Sequence, residues 1–215
     1  MKIVTLLSGG LDSAVLLGSM VADGHEVMPL SVDYGQRHRR ELQAAELIAG
    51  HYQLPWKCAD LRNVGRELLA GSALTSPNIA VPHGHYEDLS MKATVVPNRN
   101  MILLAIGLGY AISIGAKAVA YAAHAGDHAI YPDCRPEFYA ALSAAFQVAH
   151  YEAVELIGPM IQWTKADIVK QGHNLSVPMK TTWSCYEGGR LHCGRCGTCV
   201  ERKEAFLLAG VPDPT

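Results

Sequence analysis

The stretch Ser8-Gly9-Gly10-Leu11-Asp12-Ser13, set directly behind an apolar run from Lys2 to Leu7, constrains this chain more than any other. The run is short, rich in β-branched residues and stops at paired glycines, the pattern of a buried parallel strand. From Ala14 to Val21 the sequence has helical length and an apolar face. The six residues therefore join the carboxyl end of a strand to the amino end of a helix. Glycines there let the backbone approach an anion, and the first free N–H groups of the helix point at it. Ser8 and Ser13 add hydroxyl donors. Asp12 would repel a bare phosphate, so its presence implies a cation between them, with Mg²⁺ the natural choice. An ordinary tight turn with a capping Ser or Asp is the plainer reading, and paired glycines alone would favour it. Six residues of this kind in this context favour phosphate binding.

No Gly-Lys-Ser/Thr follows, so this is not a Walker loop, and it is not the Gly-x-Gly-x-x-Gly of dinucleotide folds. It resembles the Ser-Gly-Gly-x-Asp-Ser loop of the ATP pyrophosphatases, the PP-loop family. The resemblance implies cleavage of ATP between its α- and β-phosphates to adenylate a substrate, followed by displacement of AMP by a nitrogen or sulfur nucleophile.

With 215 residues, 49% of them hydrophobic, the chain can bury a substantial core. A formal net charge of −2 gives no long-range attraction to nucleic acid, so no stable nucleic-acid partner is expected. The apolar start is broken by Gly9, Gly10 and Asp12, too early for a signal sequence, and nothing is long enough to span a bilayer. The expected location is the cytoplasm. Six cysteines in a reducing compartment read as metal ligands and buried thiols rather than disulfides.

A second strand is expected over Glu26 to Val32, a helix over Arg39 to His51 and a third strand over Trp56 to Leu61. Two βαβ units in succession imply a parallel sheet with helices on both faces, an α/β Rossmann-like fold. Ligands in such sheets bind at the carboxyl ends of the strands, which puts Asp33 and Arg37 on the same rim as Ser8 to Ser13. From Gly71 to Lys92 the pattern stops, as in a lid or mobile insertion. A helix is then expected over Met101 to Ile114, with Arg99 in its first turn. A cation there opposes the helix dipole, and an anionic ligand explains it better than helix stability does.

The next strand is expected over Ala118 to Ala123. It leads into a second rim loop, His124 to Arg135, which carries Asp127, His128, Tyr131, Asp133 and Cys134, and then into a helix over Pro136 to Ala149. His83, His85, His124 and His128 show no ligand spacing on a regular element, which disfavours a histidine metal site. Val154 to Ile157 reads as a strand. Thr164-Lys165-Ala166-Asp167 resembles a capping box opening a helix to Gln171, with Lys165 either solvated or reaching a phosphate.

Cys185, Cys193, Cys196 and Cys199 form C-x7-C-x2-C-x2-C. Four neighbouring thiolates repel each other unless a cation neutralises them. A closed four-cysteine zinc site, structural because no position is left for water, is the first reading, over residues 181–210. An iron–sulfur cluster is the competitor, but a ferredoxin run would continue with three residues and Cys-Pro, whereas Val200-Glu201-Arg202-Lys203 follows. A helix over Val200 to Leu208 ends the pattern.

Several of these stretches together resemble one PP-loop subfamily, 7-cyano-7-deazaguanine synthase (preQ0 synthase, QueC). They are Ser8 to Ser13, Val32-Asp33-Tyr34-Gly35-Gln36-Arg37-His38, Val96-Pro97-Asn98-Arg99-Asn100, Tyr131 to Phe138, Ser184-Cys185-Tyr186 and the last three cysteines. They run in order along nearly the whole chain, which the resemblance treats as a single domain over 1–215. The lead-in His124-Ala125-Gly126-Asp127-His128 departs from the family's Gly-Val/Ala-Asn type. The resemblance implies conversion of 7-carboxy-7-deazaguanine to its nitrile with ammonia and ATP, in the queuosine pathway, by a homodimer holding one structural Zn²⁺ per chain and using Mg²⁺ with ATP.

The expected ATP contacts are Ser8, Gly9, Gly10, Leu11, Asp12, Ser13, Asp33 and Arg37, and the expected substrate contacts are Asp127, Tyr131, Asp133 and Arg135. Catalysis falls to Asp12, Arg99 and Arg135. A carboxylate is inert to ammonia until adenylation supplies AMP as a leaving group, and a second activation at the amide oxygen would allow loss of that oxygen to a nitrile. Positioning and charge stabilisation can carry such steps without a Ser-His-Asp or Cys-His set. Two alternatives are another PP-loop enzyme, such as a tRNA thiolase, and a non-enzymatic zinc nucleic-acid module. The first needs a cysteine pair near the ATP rim, and the second is disfavoured by the mild negative charge and 7% aromatic content.

Overall fold

Ile3 and Val4 are adjacent in sequence and both fully buried, so the first strand must be covered on both faces. In the computed structural model, which describes residues 1–215, strand β1 (Lys2–Leu6) lies at the centre of the sheet. On one side it pairs with β2 (Glu26–Asp33), beyond which lies β3 (Lys57–Asp60). On the other it pairs with β4 (Ala118–Ala120), beyond which lies β5 (Glu155–Ile157). Every pairing is parallel, with Val4 opposite Met28 on one neighbour and Val119 on the other. The expected α/β parallel sheet is therefore present.

Strand parity sorts the core into two layers. Ile3, Val27, Ala118 and Ala120 pack with α1 (Leu11–Ala22), α2 (Arg40–His51), α6 (Lys165–Asn174) and α7 (Gly197–Ala209) through Leu16, Ile48, Ile168 and Phe206. On the opposite face Val4, Leu30, Val119 and Leu156 pack with α4 (Arg99–Ser113) and α5 (Pro136–Val148) through Leu104, Ala111, Leu142 and Phe146. Chain order runs outward from β1 through β2 to β3, then restarts at β4. The switch between β1 and β4 opens the crevice in which ligands of such sheets bind.

The structure departs from expectation in four places. The strand expected over Ala118 to Ala123 ends at Ala120, because its partner β5 is only three residues long. Tyr121 makes one more bond to the Ile157 carbonyl, and the chain then turns into the rim. A short helix, α3 (Arg62–Leu68), follows β3 and is too brief for a helical period to show in the sequence. The C-terminal helix begins earlier than expected, at Gly197, because the Cys196 carbonyl accepts from both Cys199 and Val200.

The fourth departure is the segment from Gly71 to Lys92, which is irregular yet tied down. Ala73 and Met91 are fully buried, and the amides of Ala73 and Arg37 donate to the Ala93 and Leu74 carbonyls. His83 forms an isolated antiparallel bridge with Cys196. No helix of the chain is long and apolar enough to cross a membrane.

Candidate active site

The loop after β1 is knitted by its own hydroxyls. The Ser8 amide donates to Ser13 Oγ (3.2 Å), the Gly10 amide to Ser8 Oγ (3.2 Å), and Ser13 Oγ to the Gly10 carbonyl (3.1 Å). Gly10 caps α1 without any side-chain bond, which leaves the first amides of the helix open to an anion. Gly9 has φ +91°, and a Cβ there would lie 2.0 Å from the Glu41 carbonyl oxygen and 2.8 Å from the Ala45 nitrogen. Gly9→Ala is thus expected to destabilise the fold by about 3 kcal/mol or more, combining a left-handed backbone with a backbone collision. Urea denaturation checks this, and an unchanged midpoint would contradict it.

Asp12, in the first turn of α1, meets Lys165 and His124, which in turn bring in Glu201 and Asp127 from distant parts of the chain. Lys165 Nζ at the start of α6 donates to Asp12 Oδ2 at 2.7 Å, and it lies 3.2 Å from Glu201 Oε2 of α7. His124 Nε2 lies 3.9 Å from Asp12 Oδ2 and 3.6 Å from Asp127 Oδ2. His124 is 1% exposed; its Nδ1 accepts from the Gly126 amide, and its Nε2 lies 3.3 Å from Lys165 Nζ.

Burial works against the charge on Lys165, but Asp12, then Glu201 and Asp127, outweigh it and hold the ammonium above the ordinary lysine range. Burial likewise opposes ionisation of Asp12. The neighbouring Lys165 and His124 prevail there and hold its carboxyl below the usual range. In Glu201 burial wins and pushes the carboxyl up. Asp12 Oδ1 is buried with no hydrogen-bond partner. An orphaned carboxylate oxygen beside a phosphate-type loop fits a hard cation such as Mg²⁺, which takes oxygen ligands.

A cavity of about 220 Å³ opens at the carboxyl ends of β1 and β2. Leu6, Leu7, Leu30 and Val32 give it apolar wall, while Tyr34, Tyr86, Tyr121, Trp183 and Tyr186 supply aromatic surface. Ser8, Gly10, Leu11, Asp12, Ser13, Arg99, Asp127 and Lys165 line it as well, so most of the expected loop and two further expected residues face one volume. Glu41 joins them. Burial pushes its carboxyl up to about 7, against the pull of the Arg99 guanidinium. Cys134 is the one cysteine in the wall, and burial, with Asp127 and Asp133 nearby, pushes its thiol up, which makes it a poor nucleophile.

Other expected residues stand behind or outside this wall. Gly9 faces α2 rather than the cavity. Asp33 shapes the loop after β2: its Oδ1 accepts from the Gly35 amide, and its Oδ2 lies 3.3 Å from Arg39. Ser31, Val32, Tyr34 and Gln36 face the cavity there instead. Arg37 donates to the Ile79 carbonyl at 2.9 Å and fastens the 71–92 segment. Tyr131 is buried with its hydroxyl 2.7 Å from Thr94 Oγ1. Asp133 Oδ2 accepts from the Asn100 amide at 2.9 Å, so a carboxylate offsets the unfavourable placement of Arg99 at the start of α4. Arg135 is exposed and donates to the His128 carbonyl, its direction set by the turn into Pro136 and α5. His83 and His85 pair with Glu187 and Glu204 on the surface.

Sequence reasoning missed Glu41, Glu201 and the clustering of His124, because each acts through a neighbour far along the chain. The only signal was position: Glu201 follows Cys199 by two residues, and His124 opens the lead-in that departs from the family type.

The four cysteines converge. Their Sγ atoms all lie within 4.8 Å of one another, with Cys193 and Cys199 at 3.9 Å. Tetrahedral Zn–S bonds require sulfurs about 3.8 Å apart. Amides of Cys193 and Cys196 donate to Cys185 Sγ and Cys193 Sγ at 3.3 Å, as expected where sulfur carries negative charge. The group can hold a metal ion, and its geometry fits zinc.

Among solved structures, the fold is similar to an NMN synthetase from Francisella tularensis (TM-score 0.52, 15% identity, 98% of this chain and 77% of that one). It is also similar to an NH3-dependent NAD synthetase from Campylobacter jejuni (TM-score 0.50, 14% identity, 84% and 66%). In sequence the chain is 50% identical to a 7-cyano-7-deazaguanine synthase from Caldicellulosiruptor bescii over 100% of this chain and 96% of that protein. It is 53% identical to one from Rhizobium meliloti over 100% and 91%. Residues 2–210 match the family described as "Queuosine biosynthesis protein QueC". With a phosphate-type loop at the switch point, a lysine-bridged acidic cluster and four converging cysteines all carried within that match, the chain belongs to the QueC family.

Proposed function

We propose that this chain converts 7-carboxy-7-deazaguanine, ammonia and ATP into 7-cyano-7-deazaguanine through adenylated intermediates. One observation carries the reading: a single cavity gathers an open helix N-terminus, the Asp12–Lys165 pair and Arg99. That is what an ATP phosphate chain and an anionic second substrate need together. The α1 amides receive phosphate oxygens, and Lys165 offsets the charge that builds up as pyrophosphate leaves. Mg²⁺, held by Asp12 with ATP, would screen the same phosphates. Arg99 orients the substrate carboxylate against the α-phosphate, and the tyrosines and Trp183 offer stacking faces for two planar bases.

The carboxylate oxygen attacks phosphorus and pyrophosphate departs. Ammonia then attacks the acyl carbon, AMP leaves with the oxygen, and the amide remains. A second adenylation at the amide oxygen turns that oxygen into a leaving group, and loss of AMP and two protons gives the nitrile. Cys185, Cys193, Cys196 and Cys199 would hold Zn²⁺ as a structural ion that fixes α7, and so Glu201, in place.

The test is incubation with the carboxylate, ammonium and ATP, read by mass spectrometry. The expected product is the nitrile, with AMP formed in step. AMP release that ignores the deazaguanine, or that requires tRNA, would overturn the reading.

A further inference from the structure

The cavity holds one carboxylate that nothing so far employs. Asp12 pairs with Lys165, and Asp127 accepts from the Tyr86 hydroxyl and the His124 amide. Glu41 lines the same wall and makes neither a hydrogen bond nor an ion pair. Its backbone is fixed, because the Glu41 carbonyl is the atom against which Gly9 is pressed. A carboxylate carried into a partly buried wall without a partner is destabilising unless a ligand completes it. The charged and titratable groups near it are the Arg99 guanidinium from α4 and the Tyr34 phenol from the loop after β2. Asp12 and Lys165 share the cavity from α1 and α6.

We propose that Glu41 is the base that takes a proton from the ammonium ion and so delivers ammonia as the nucleophile. This rests on the ammonia-dependent reaction above. The two small charges of that reaction have opposite signs, a substrate carboxylate and an ammonium, and Arg99 and Glu41 are the charged groups of the wall that no ion pair engages. An N–H bond of ammonium breaks and its proton passes to a Glu41 carboxylate oxygen. The freed lone pair forms the C–N bond, the acyl C–O bond breaks, and AMP departs. The nitrogen then sheds a second proton to leave the neutral amide. Burial lifts the Glu41 carboxyl toward neutral pH, which makes it a stronger base than an ordinary glutamate.

Glu41→Gln tests this with two nucleophiles. Ammonium must lose a proton before it can attack, whereas hydroxylamine is neutral near pH 7 and attacks as it is, giving a hydroxamate. The variant should lose about 100-fold in amide and nitrile formation from ammonium at pH 7. It should lose less than about tenfold in hydroxamate formation, and the ammonium defect should shrink as pH rises and free ammonia accumulates. Its melting temperature should equal or exceed the parent's, since a partnerless carboxylate is gone. Equal losses with both nucleophiles, or a raised KM for the deazaguanine alone, would overturn the assignment and give Glu41 to base recognition. Failure of the unmutated enzyme to form either product would instead bring down the underlying reaction.

Discussion

Asp12→Asn is expected to lower turnover by about 10³-fold while leaving the fold intact, and Lys165→Met to lower it as far while also destabilising the protein. The asymmetry follows from the cluster. Lys165 is the ammonium among Asp12, Asp127 and Glu201, at 2.7 Å from Asp12 and 3.2 Å from Glu201. Removing it strands buried carboxylates, which costs about 3–5 kcal/mol where a partly buried pair is broken from one side. Removing the Asp12 charge leaves Lys165 with Glu201. The double variant should therefore regain part of the stability lost by Lys165→Met, with no return of activity. Melting curves and steady-state rates on all four proteins check this. Near-normal turnover in a well-folded Asp12→Asn protein would remove Asp12 from the chemistry.

Cys196→Ser should release the metal and unfold the C-terminal region. The cluster holds the turn that starts α7: the Cys196 carbonyl takes the first helical amides, and its backbone pairs with His83. Loss of a four-cysteine metal site should lower stability by at least about 4 kcal/mol. Activity should fall in proportion to metal content, because Glu201 rides on the same helix two residues beyond Cys199. Metal analysis of anaerobically purified protein should find one zinc per chain. Iron with inorganic sulfide and visible absorbance would overturn zinc, and a metal-free variant that folds and works would show the cluster to be dispensable.

The parts of this molecule that were legible in the sequence are those written in local pattern. The loop from Ser8 to Ser13, the strand before it, the capping box at Thr164 and the spacing of Cys193, Cys196 and Cys199 are each short-range statements, and each corresponds to an observed local structure. Thr164 accepts from the Asp167 amide as the pattern implies. Arg37, Asp133 and Arg135 show the opposite case. Being charged and near the rim did not make them wall residues, because backbone carbonyls and a helix start absorbed them. Glu41 and Glu201 were illegible for the complementary reason: each is an ordinary helix-surface glutamate until distant elements close over it.

The Trp183 amide donates to the Gly9 carbonyl at 2.9 Å, so the loop encoded near the start of the chain is closed by a residue 174 positions later. Glu201 and Phe206 then complete its charge cluster and the layer beneath α1. No amino-terminal fragment that stops before Trp183 can present this loop in its finished form, however well its five strands pair. During synthesis the loop from Ser8 to Ser13 is thus among the first parts of the fold to be made and among the last to be finished. A nick between β5 and α7 should accordingly silence ATP use before it melts the sheet.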